Sequence, residues 1–308
     1  MKEFSVQKND AGQRVDKFVL KITSSLPQSL LYKAIRLKKI KVNRKRCEPG
    51  LLLKEGDTVQ CFLAPDFFAE KEASFRSLTP QIEAVYEDEN LLIVSKPEGQ
   101  SCHSDETQKT GTLIDHIKAY LAQKGEYRPE EENSFAPALC NRIDRNTSGL
   151  VICAKNAASL REMNEMIRER KVEKRYLAWV RGVGLPEHAV LKHYLLKDEK
   201  KNRVTVFDAP HKGALTAITE FFKRKETDSA TLIEVLLHTG RTHQIRAQMA
   251  HIGHPLLGDA KYAKPEKDGR FPHQALRSDS LCFHPSPDSF LSYLANVAVR
   301  APKDERFS

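Results

Sequence analysis

Apolar residues near the start of the chain follow helical spacing and then alternate with polar residues. Spacings of i, i+3, i+4 and i+7 predict a helix over 14–22, and a similar face predicts a second helix from about Pro27. Alternation over 40–46 predicts a strand that enters a turn, with a further strand over 58–62. The pattern therefore predicts a small α+β module over 1–62. The residues expected to face inward are Val15, Phe18, Val19 and Ile22 on the first helix and Leu31, Ala34 and Ile35 on the second.

From residue 81 the pattern changes to short apolar runs with few helical faces between them. Many strands with few interposed helices predict an α+β domain over 81–308, whose sheet is mixed and mostly antiparallel. Residues 63–80 show no clear period and are interpreted as a linker. The alternative is an extra strand and turn of either neighbour, which Phe67 and Phe68 would suit. Strands are predicted over 91–94, 150–154, 176–180 and 231–237, helices over 112–122, 159–170 and 242–251, and a polar loop over 126–134.

Composition narrows the class of protein. The chain has 308 residues, of which 40% are hydrophobic and 30% are charged, so a soluble globular protein with a sizeable core is expected. Because no run of about 18 apolar residues and no apolar N-terminal stretch occur, neither a membrane span nor a secretion signal is predicted. Six cysteines without a C-x-x-C pair indicate reduced thiols in a cytoplasmic protein, with no disulfide frame and no structural zinc site.

Positive charge is concentrated at the start of the chain. Residues 1–62 carry 14 Lys and Arg against 6 Asp and Glu, whereas the net charge of the whole chain is +9. Eight of these cations stand between positions 33 and 46 without an acidic residue, and such a patch commonly binds phosphate backbones. The alternative interpretation is a solvated surface. The candidate RNA-contact residues in this patch are Lys33, Arg36, Lys38, Lys39, Lys41, Arg44, Lys45 and Arg46.

The strongest candidate for chemistry is one carboxylate. The segment 142–150 places Asp144 between two arginines and ahead of an Asn-Thr-Ser-Gly turn. Neighbouring cations favour the ionised carboxylate, which can act as a nucleophile. The alternative is a surface ion pair or a turn-capping Asp, and spacing alone does not decide between these interpretations. A basic segment over 239–246 and a Lys-Arg-Tyr sequence at 174–176 supply further cations and an aromatic ring, which suits a nucleophile acting on an anionic polymer.

In this order the three segments resemble the RluA family of pseudouridine synthases, over about residues 81–302. The family's R-[LI]-D-x-x-T-[SG]-G-[LIV] stretch is matched from Arg142 to Leu150, and its T-G-R-[TS]-H-Q-[IL]-R signature is matched in full from Thr239 to Arg246. Its basic-x-Tyr segment is matched at 174–176, and the segment 253–259 is also similar to the family. The chain departs from the family pattern at two positions where histidine is common, Asn141 and Gln274.

The N-terminal segment resembles a second known unit. Two short helices, a basic turn and short strands over about 12–62 are similar to the alpha-L, or S-four-type, RNA-binding module. The resemblances together imply three parts: an RNA-binding module over 1–62, a linker over 63–80 and a pseudouridine synthase catalytic domain over 81–308.

The resemblance implies roles for residues that match the family's motifs. Asp144 would be the catalytic carboxylate, and Arg246 would pair with it. Tyr176 would stack on the target base and could assist removal of its proton. Arg142 would fill the gap left when the uridine is flipped out of the RNA, while Arg241 is placed to meet phosphate. Isomerisation of uridine to pseudouridine would follow, either by attack of Asp144 on the ribose or by removal of its 2′ proton, and both routes stay open.

The same resemblance implies partners and excludes others. The reaction imports no group, so no cofactor and no metal are expected, and the sequence holds no G-x-G-x-x-G, Walker lysine loop or H-E-x-x-H motif. Structured RNA is the expected partner, with large-subunit ribosomal RNA preferred to tRNA; no membrane and no obligate protein partner are expected, and the chain is expected to be a monomer. Two other classes stay open: an RNA-binding factor without turnover, and a glycosidase-type hydrolase, which would need a second positioned carboxylate.

Overall fold

The structure is a computed structural model that describes residues 1–68, 74–106, 108–264 and 270–308. Contacts divide the chain into two compact units. The first contains Met1–Gln81, Ile114–Ala138 and Ala154–Arg161, and the second contains Ile82–Leu113, Leu139–Cys153 and Glu162–Ser308. Within the first unit, hydrogen bonds connect the N-terminal stretch to the stretch Ile114–Ala138. The Asp10 carboxylate accepts from the Asn133 amide at 2.7 Å and from the Ser134 hydroxyl at 2.5 Å. Residues 69–73 of the predicted linker lie outside the described residues.

Two helices and a four-stranded sheet form the N-terminal part of the first unit. The helices are α1 (Val15–Ile22) and α2 (Gln28–Arg36), and the strands are β1 (Lys2–Ser5), β2 (Ile40–Val42), β3 (Lys45–Arg46) and β4 (Thr58–Cys61). The strands are antiparallel in the order β1-β4-β2-β3. The predicted helices are confirmed, and their inward residues are buried except Ile22, which is partly buried against the same core. β1 was not predicted, because its four residues show no regular spacing of apolar side chains. Its strand conformation depends on pairing with β4.

The turn between β2 and β3 presents basic side chains. Asn43 and Arg44 both have positive φ, 50° and 64°, as in the two-residue hairpin turns whose twist matches the flanking strands. Asn43 fixes the turn by donating to the Asp57 carboxylate at 2.8 Å and by accepting from the Thr58 N–H at 2.8 Å. As a result, Arg44 and both residues of β3 are held at exposed positions.

Two short 3-10 turns, Pro65–Phe68 and Ser74–Ser77, occupy described parts of the predicted linker. Phe68 is buried and Phe67 is partly buried, and both pack on the core formed by α1, α2 and the small sheet. The remaining α-helices in the described parts of the chain are α3 (Leu113–Gln123), α4 (Ala157–Arg168) and α5 (Gln244–His251).

A larger sheet of eleven strands follows in the described chain, with the order β11-β10-β12-β13-β9-β14-β8-β6-β5; β15 pairs with β14, and β7 pairs with β8. Its strands are β5 (Glu83–Glu87), β6 (Leu91–Lys96), β7 (Ala138–Leu139), β8 (Ser148–Ala154), β9 (Val172–Arg181), β10 (His188–Asp198), β11 (Arg203–Phe207), β12 (Leu215–Glu226), β13 (Ala230–Leu237), β14 (Leu276–Phe283) and β15 (Ala298–Arg300). β9 pairs in antiparallel fashion with β13 and β14, whereas β14 pairs in parallel with β8.

This topology confirms the predicted α+β class with a mixed, mostly antiparallel sheet. The four predicted strands lie within β6, β8, β9 and β13. Strands β10, β11 and β12 were not predicted, because many of their residues are charged and half-exposed, so their apolar alternation is interrupted. No helix in the described parts of the chain combines the length and the apolar character that a membrane span requires.

Candidate active site

Asp144 lies in the loop ahead of β8 and forms an ion pair with α5. Arg246 donates from Nη1 to Asp144 Oδ2 at 2.8 Å. The Asp144 side chain is 28% exposed, and its hydrogen bonds to other described residues engage Oδ2 alone. Oδ1 is therefore the carboxylate oxygen that a reactant can approach.

A second carboxylate fixes the guanidinium from the other side. Arg246 donates from Nε to Asp259 Oδ2 at 2.7 Å and from Nη2 to Asp259 Oδ1 at 2.8 Å. The Asp259 side chain is fully buried, and that of Arg246 is 7% exposed. Burial opposes the charge on Arg246, but its hydrogen bonds to Asp259 and then the charge of Asp144 raise the pKa of Arg246 above its ordinary value. Because a bidentate pair has a fixed geometry, Arg246 has little freedom to turn away from Asp144.

A buried lysine ties down the loop that carries Asp144. Lys96, at the end of β6, is fully buried and donates from Nζ to the carbonyls of Pro97, Gln100 and Arg145 at 2.8, 2.9 and 2.8 Å. Three carbonyl acceptors satisfy the three donors of the ammonium group. Burial lowers the pKa of Lys96 to about 8. Since the carbonyl of Arg145 belongs to the residue after Asp144, Lys96 fixes the position of the loop that carries Asp144.

Gly149 permits the close approach of β8 and β14. It has φ +104°, and a Cβ placed on it would lie 2.0 Å from the Ser278 carbonyl oxygen. The parallel register pairs Gly149 with Ser278 and Ser148 with Arg277. Only glycine fits such backbone contact at positive φ without displacement of a strand. The glycine of the motif is therefore explained by packing.

Gln244 makes several of the hydrogen bonds that hold the segment 239–246 to β12. Gln244 donates to the Ile218 carbonyl at 3.0 Å and to Thr219 Oγ1 at 2.8 Å. Its Oε1 accepts from Thr239 Oγ1 at 2.8 Å and from the Arg241 N–H at 3.0 Å. These bonds fix the start of α5 and so position Arg246 in its first turn.

Tyr176 lies on β9 between two neighbouring strands. It pairs with Val235 of β13 and with Ser278 of β14, and 6% of the residue is exposed. Burial raises the pKa of Tyr176 to about 12, a hydrogen bond with Ser278 opposes the shift, and the charge of Asp144 adds to it. The phenol is therefore protonated near neutral pH, and it feels the field of Asp144.

His243 stands between Asp144 and an aromatic residue. Its Nε2 lies 3.8 Å from Asp144 Oδ2, and its Nδ1 lies 2.9 Å from Tyr262 Oη. The guanidinium of Arg246 lies over the Tyr262 ring, 5.4 Å from its centroid, and so does that of Arg203 at 5.4 Å. Tyr262 thereby joins the imidazole and the guanidinium on the same side of Asp144.

The arginines near Asp144 in sequence have other neighbours. Among the described residues, Asp144 forms an ion pair with Arg246 and has the His243 ring 3.8 Å away, so the flanking arginines do not form ion pairs with it. Arg142 is exposed. Arg145 is also exposed and donates from Nε to the Gly99 carbonyl at 2.9 Å.

Three further residues of the motifs have structural contacts. Arg241 is exposed and donates from Nε to the Thr216 carbonyl at 3.1 Å, while its remaining donors face outward from the start of β12. Asn141 accepts from the Ile152 N–H at 2.8 Å, and buried Gln274 lies 3.3 Å from Thr147 Oγ1. The two departures from the family pattern therefore support the Asp144 loop from both sides.

The predicted RNA-contact residues share one property in the first unit: they project from α2, from the β2–β3 hairpin and from the link between them. Lys41 is half-buried, with its ammonium 5.5 Å from the centroid of the exposed Phe62 ring. The other seven are exposed, and no ion pair to a carboxylate involves any of the eight in the described chain. The exposed members are Lys33, Arg36, Lys38, Lys39, Arg44, Lys45 and Arg46.

One group of side chains in the described residues has ligand atoms close enough to hold a metal ion: those of His193, Asp208 and His251 lie within 4.8 Å of one another. Asp208 is 80% exposed and accepts from, or pairs with, His251 at 2.8 Å. Gln248 Nε2 lies 3.0 Å from His193 Nδ1, so the amide donates there and the ring proton of His193 resides on Nε2. That tautomer does not offer Nε2 to a metal, and Asp144 is not a member of the group.

Sequence reasoning missed three residues that build this site, namely Lys96, Asp259 and Tyr262. From the sequence, Lys96 is interpreted first as part of a turn over 96–99 that resembles an early K-P-x-G segment of the family and could lie near the cleft; nothing in its neighbourhood indicates that three carbonyls converge on it. Asp259 stands 13 residues after Arg246 in the family-like segment 253–259, and a carboxylate there was the one available signal. Tyr262 lies beyond that segment, and no periodic pattern points to it.

Comparisons with known proteins agree on one family. A family model described as RNA pseudouridylate synthase matches residues 90–251. A protein of Buchnera aphidicola (subsp. Acyrthosiphon pisum, strain APS) called Ribosomal large subunit pseudouridine synthase C is 33% identical to this chain, over 98% of this chain and 94% of its own length. The protein of the same name from Escherichia coli strain K12 is 31% identical over 99% of this chain and 94% of its own.

Solved structures support the fold. Human RNA Pseudouridylate Synthase Domain Containing 4 gives a TM-score of 0.57 at 20% identity, over 73% of this chain and 90% of the human one. Human RNA Pseudouridylate Synthase Domain Containing 1 gives a TM-score of 0.51 at 21% identity, over 74% and 94% respectively.

Proposed function

Because the chain belongs to the RNA pseudouridylate synthase family, we propose that it isomerises specific uridines in large-subunit ribosomal RNA, with Asp144 as the catalytic carboxylate. The chain is an RNA pseudouridine synthase, and hence an isomerase. The names of the two bacterial relatives support large-subunit ribosomal RNA as the substrate. The observation that carries the role of Asp144 is its geometry, with Oδ2 bound by Arg246 at 2.8 Å and Oδ1 open.

The reaction asks little of the protein beyond one reactive group and a fixed geometry. The bond between uracil N1 and ribose C1′ breaks, the base turns, a bond forms between C5 and C1′, and C5 loses its proton. Asp144 either attacks C1′ or removes the 2′ proton, and in both routes the carboxylate must be ionised and correctly aimed. Arg246 supplies the opposite charge, and Asp259 keeps the guanidinium in line.

Tyr176 supports this chemistry by contact with the base. Burial raises the pKa of Tyr176 to about 12, so the phenol is protonated near neutral pH and the phenolate that could act as a base is scarce. Although only 6% of the residue is exposed, an aromatic ring that contacts an extruded uracil would contribute about 1–3 kcal/mol by stacking. We therefore assign Tyr176 to stacking, with the C5 proton passing to another acceptor.

The depth of the site supports base flipping as part of the proposal. A uridine inside a stacked strand cannot reach Asp144, whose exposed fraction is only 28%, unless it leaves the stack. Arg142 is exposed two residues before Asp144, and its planar guanidinium suits the place that the base vacates. Arg241, exposed at the start of the helical segment, would contact a phosphate of the same strand.

Tritium release tests the catalytic assignment. Large-subunit ribosomal RNA transcribed with [5-³H]uridine should release tritium to water in the presence of the wild type. Asp144→Asn should abolish release and leave the Kd for RNA within a few fold. Asp208→Asn is the matched control, because it also removes a carboxylate that pairs with a residue of α5, in this case His251. The Asp208→Asn protein should release as much tritium as the wild type. Normal release by Asp144→Asn would refute the assignment, and RNA binding without release by the wild type would favour a factor without turnover.

The basic residues of the first unit are proposed to bind the RNA backbone outside the catalytic cleft. Replacing Arg44, Lys45 and Arg46 by alanine should weaken binding and make the slope of log K against log[salt] shallower by about 0.7–0.9 per lost phosphate contact. The sequence Lys223-Arg224-Lys225 on β12 is a matched control with the same charge. Lys223 and Arg224 already pair with Glu187 and Glu234 at 2.8 Å each, so this replacement should change the slope little. Equal effects of the two triple replacements would contradict the proposed surface.

A further inference from the structure

His243 places an imidazole beside the carboxylate without bonding to it. Its Nε2 lies 3.8 Å from Asp144 Oδ2, and 8% of its side chain is exposed. A direct hydrogen bond needs about 3.2 Å or less between heavy atoms. A ring nitrogen at this distance can therefore serve a third group that lies against both the ring and the carboxylate.

The hydrogen bonds around Tyr262 assign the proton on this ring. Tyr262 Oη accepts from the Val204 N–H at 2.9 Å and lies 2.9 Å from His243 Nδ1. The hydroxyl has no other partner among the described residues, and while it accepts from Val204 it can donate its own proton to Nδ1. A neutral His243 then carries its proton on Nε2, the nitrogen that faces Asp144.

The surroundings keep the ring neutral. Burial lowers the pKa of His243 to about 4; the charge of Asp144 opposes this shift, whereas Arg246 and Lys261 add to it. The ring is therefore an uncharged N–H donor at neutral pH, and it does not compete with Arg246 for the charge of Asp144.

The backbone of His243 lies in the left-handed region. Its φ is 51° and its ψ is 24°, values that few residues other than glycine adopt, although Asn, Asp and His do so more often than the rest. It directly precedes α5, so this conformation sets the direction in which the ring leaves the chain. Such conformations are concentrated at functional sites.

We propose that His243 donates a hydrogen bond from Nε2–H to an oxygen of the target ribose while Asp144 reacts with that sugar, and that Tyr262 fixes the donor tautomer. The inference rests on the proposed role of Asp144, since either route brings that carboxylate into contact with the ribose. A ribose in contact with Asp144 would bring its oxygens within reach of Nε2, which lies 3.8 Å from that carboxylate, and a neutral donor would align them without adding a second cation.

Two amide replacements separate this role from a structural one. The glutamine amide reaches the place of Nε2, whereas the asparagine amide reaches only that of Nδ1. Asparagine suits the left-handed backbone better, so a structural role predicts that His243→Asn is at least as active as His243→Gln. The proposal predicts the opposite order.

The assay is single-turnover tritium release from [5-³H]uridine-labelled large-subunit ribosomal RNA at saturating enzyme, with the Kd for RNA measured in parallel. His243→Phe should lower the rate about 10–100-fold. His243→Gln should recover the rate to within about tenfold of the wild type, and His243→Asn should stay near the phenylalanine variant. All three should bind RNA within about threefold of the wild type. Tyr262→Phe should lower the rate in the His243 protein but not in the glutamine variant, which needs no tautomer to be fixed.

Several outcomes would overturn the proposal. An asparagine variant as active as the glutamine variant, or a phenylalanine variant within threefold of the wild type, would show that His243 donates no bond to the sugar. An equal effect of Tyr262→Phe in both backgrounds would remove the tautomer argument. These failures leave the loss of release in Asp144→Asn intact, whereas a wild type that releases no tritium would overturn both proposals.

Discussion

Replacing Asp259 by asparagine tests whether Arg246 needs its ion pair with Asp259 in order to stay in place beside Asp144. The change removes a buried carboxylate that receives bonds of 2.7 and 2.8 Å from Arg246. Asparagine keeps the shape but turns one of the two acceptors into a donor, which then faces a guanidinium N–H. Arg246 keeps Asp144 as its remaining charged partner, at 2.8 Å.

The size of the effect follows from this geometry. Unit charges about 4 Å apart attract by about 4 kcal/mol at an effective dielectric constant near 20, and removing one partner of a buried pair costs about 3–5 kcal/mol. Because Asp144 remains, we expect the lower end, a loss of about 3 kcal/mol in the free energy of unfolding. A guanidinium that shifts by about 1 Å should also lower the rate of tritium release about 100-fold.

Urea unfolding, followed by fluorescence of the single tryptophan, Trp179, and single-turnover tritium release measure the two effects. Glu234→Gln is the matched control, since Glu234 also binds two arginine groups, those of Arg175 and Arg224, at 2.7 and 2.8 Å, but is 20% exposed. Glu234 pairs with Leu177, so it projects from the sheet face opposite Tyr176. Glu234→Gln should lose about 1 kcal/mol or less in the free energy of unfolding, and its rate of tritium release should stay within threefold of the wild type.

The result that would refute this reasoning is an Asp259→Asn enzyme that releases tritium within threefold of the wild type. A comparable rate loss in Glu234→Gln would show that breaking other arginine–carboxylate ion pairs in this unit also lowers activity. The effect of Asp259→Asn could then not be ascribed to its contact with Arg246.

Two further predictions concern the scaffold of the Asp144 loop. Gly149→Ala should cost about 3 kcal/mol or more and lower tritium release, because its Cβ would meet the Ser278 carbonyl at 2.0 Å. Gly184→Ala, with φ +81° and nothing within 4 Å, should cost only about 1 kcal/mol, and equal losses would contradict the packing argument. Lys96→Met should cost about 3 kcal/mol or more, because it leaves three carbonyls unpaired. Lys174→Met is the control, because Lys174 is half-buried on β9, and it should change the free energy of unfolding by less than about 1 kcal/mol. If Lys96→Met loses less stability than this control, the ammonium group of Lys96 does not stabilise the three carbonyls.

Regular elements with a clear period were predictable from the sequence. The faces of α1 and α2 and the buried runs within β6, β8, β9 and β13 are found where apolar spacing predicted them. β10 and β12 were not predictable from the sequence. A half-exposed strand is stabilised by contacts with its cross-strand neighbours, and those neighbours can lie far along the chain.

The candidate site divides in the same way. Asp144, Tyr176 and Arg246 were identified from residue types in ordered motifs, and their roles stay proposals. The basic hairpin was also visible, because its charges are adjacent in sequence. Lys96 and Asp259 were not, since their importance lies in burial and in partners that only folding brings together.

By itself, the sequence determined which chemical groups are available and which strongly periodic segments form helices and buried strands, because both are local properties. The tertiary structure decided which oxygen of Asp144 stays open, how Asp259 holds Arg246, and which nitrogen of His243 carries the proton. Asp144 and Arg246 stand 102 residues apart, and contacts over such a separation are fixed by sheet register and close packing, which leave no periodic mark in the sequence.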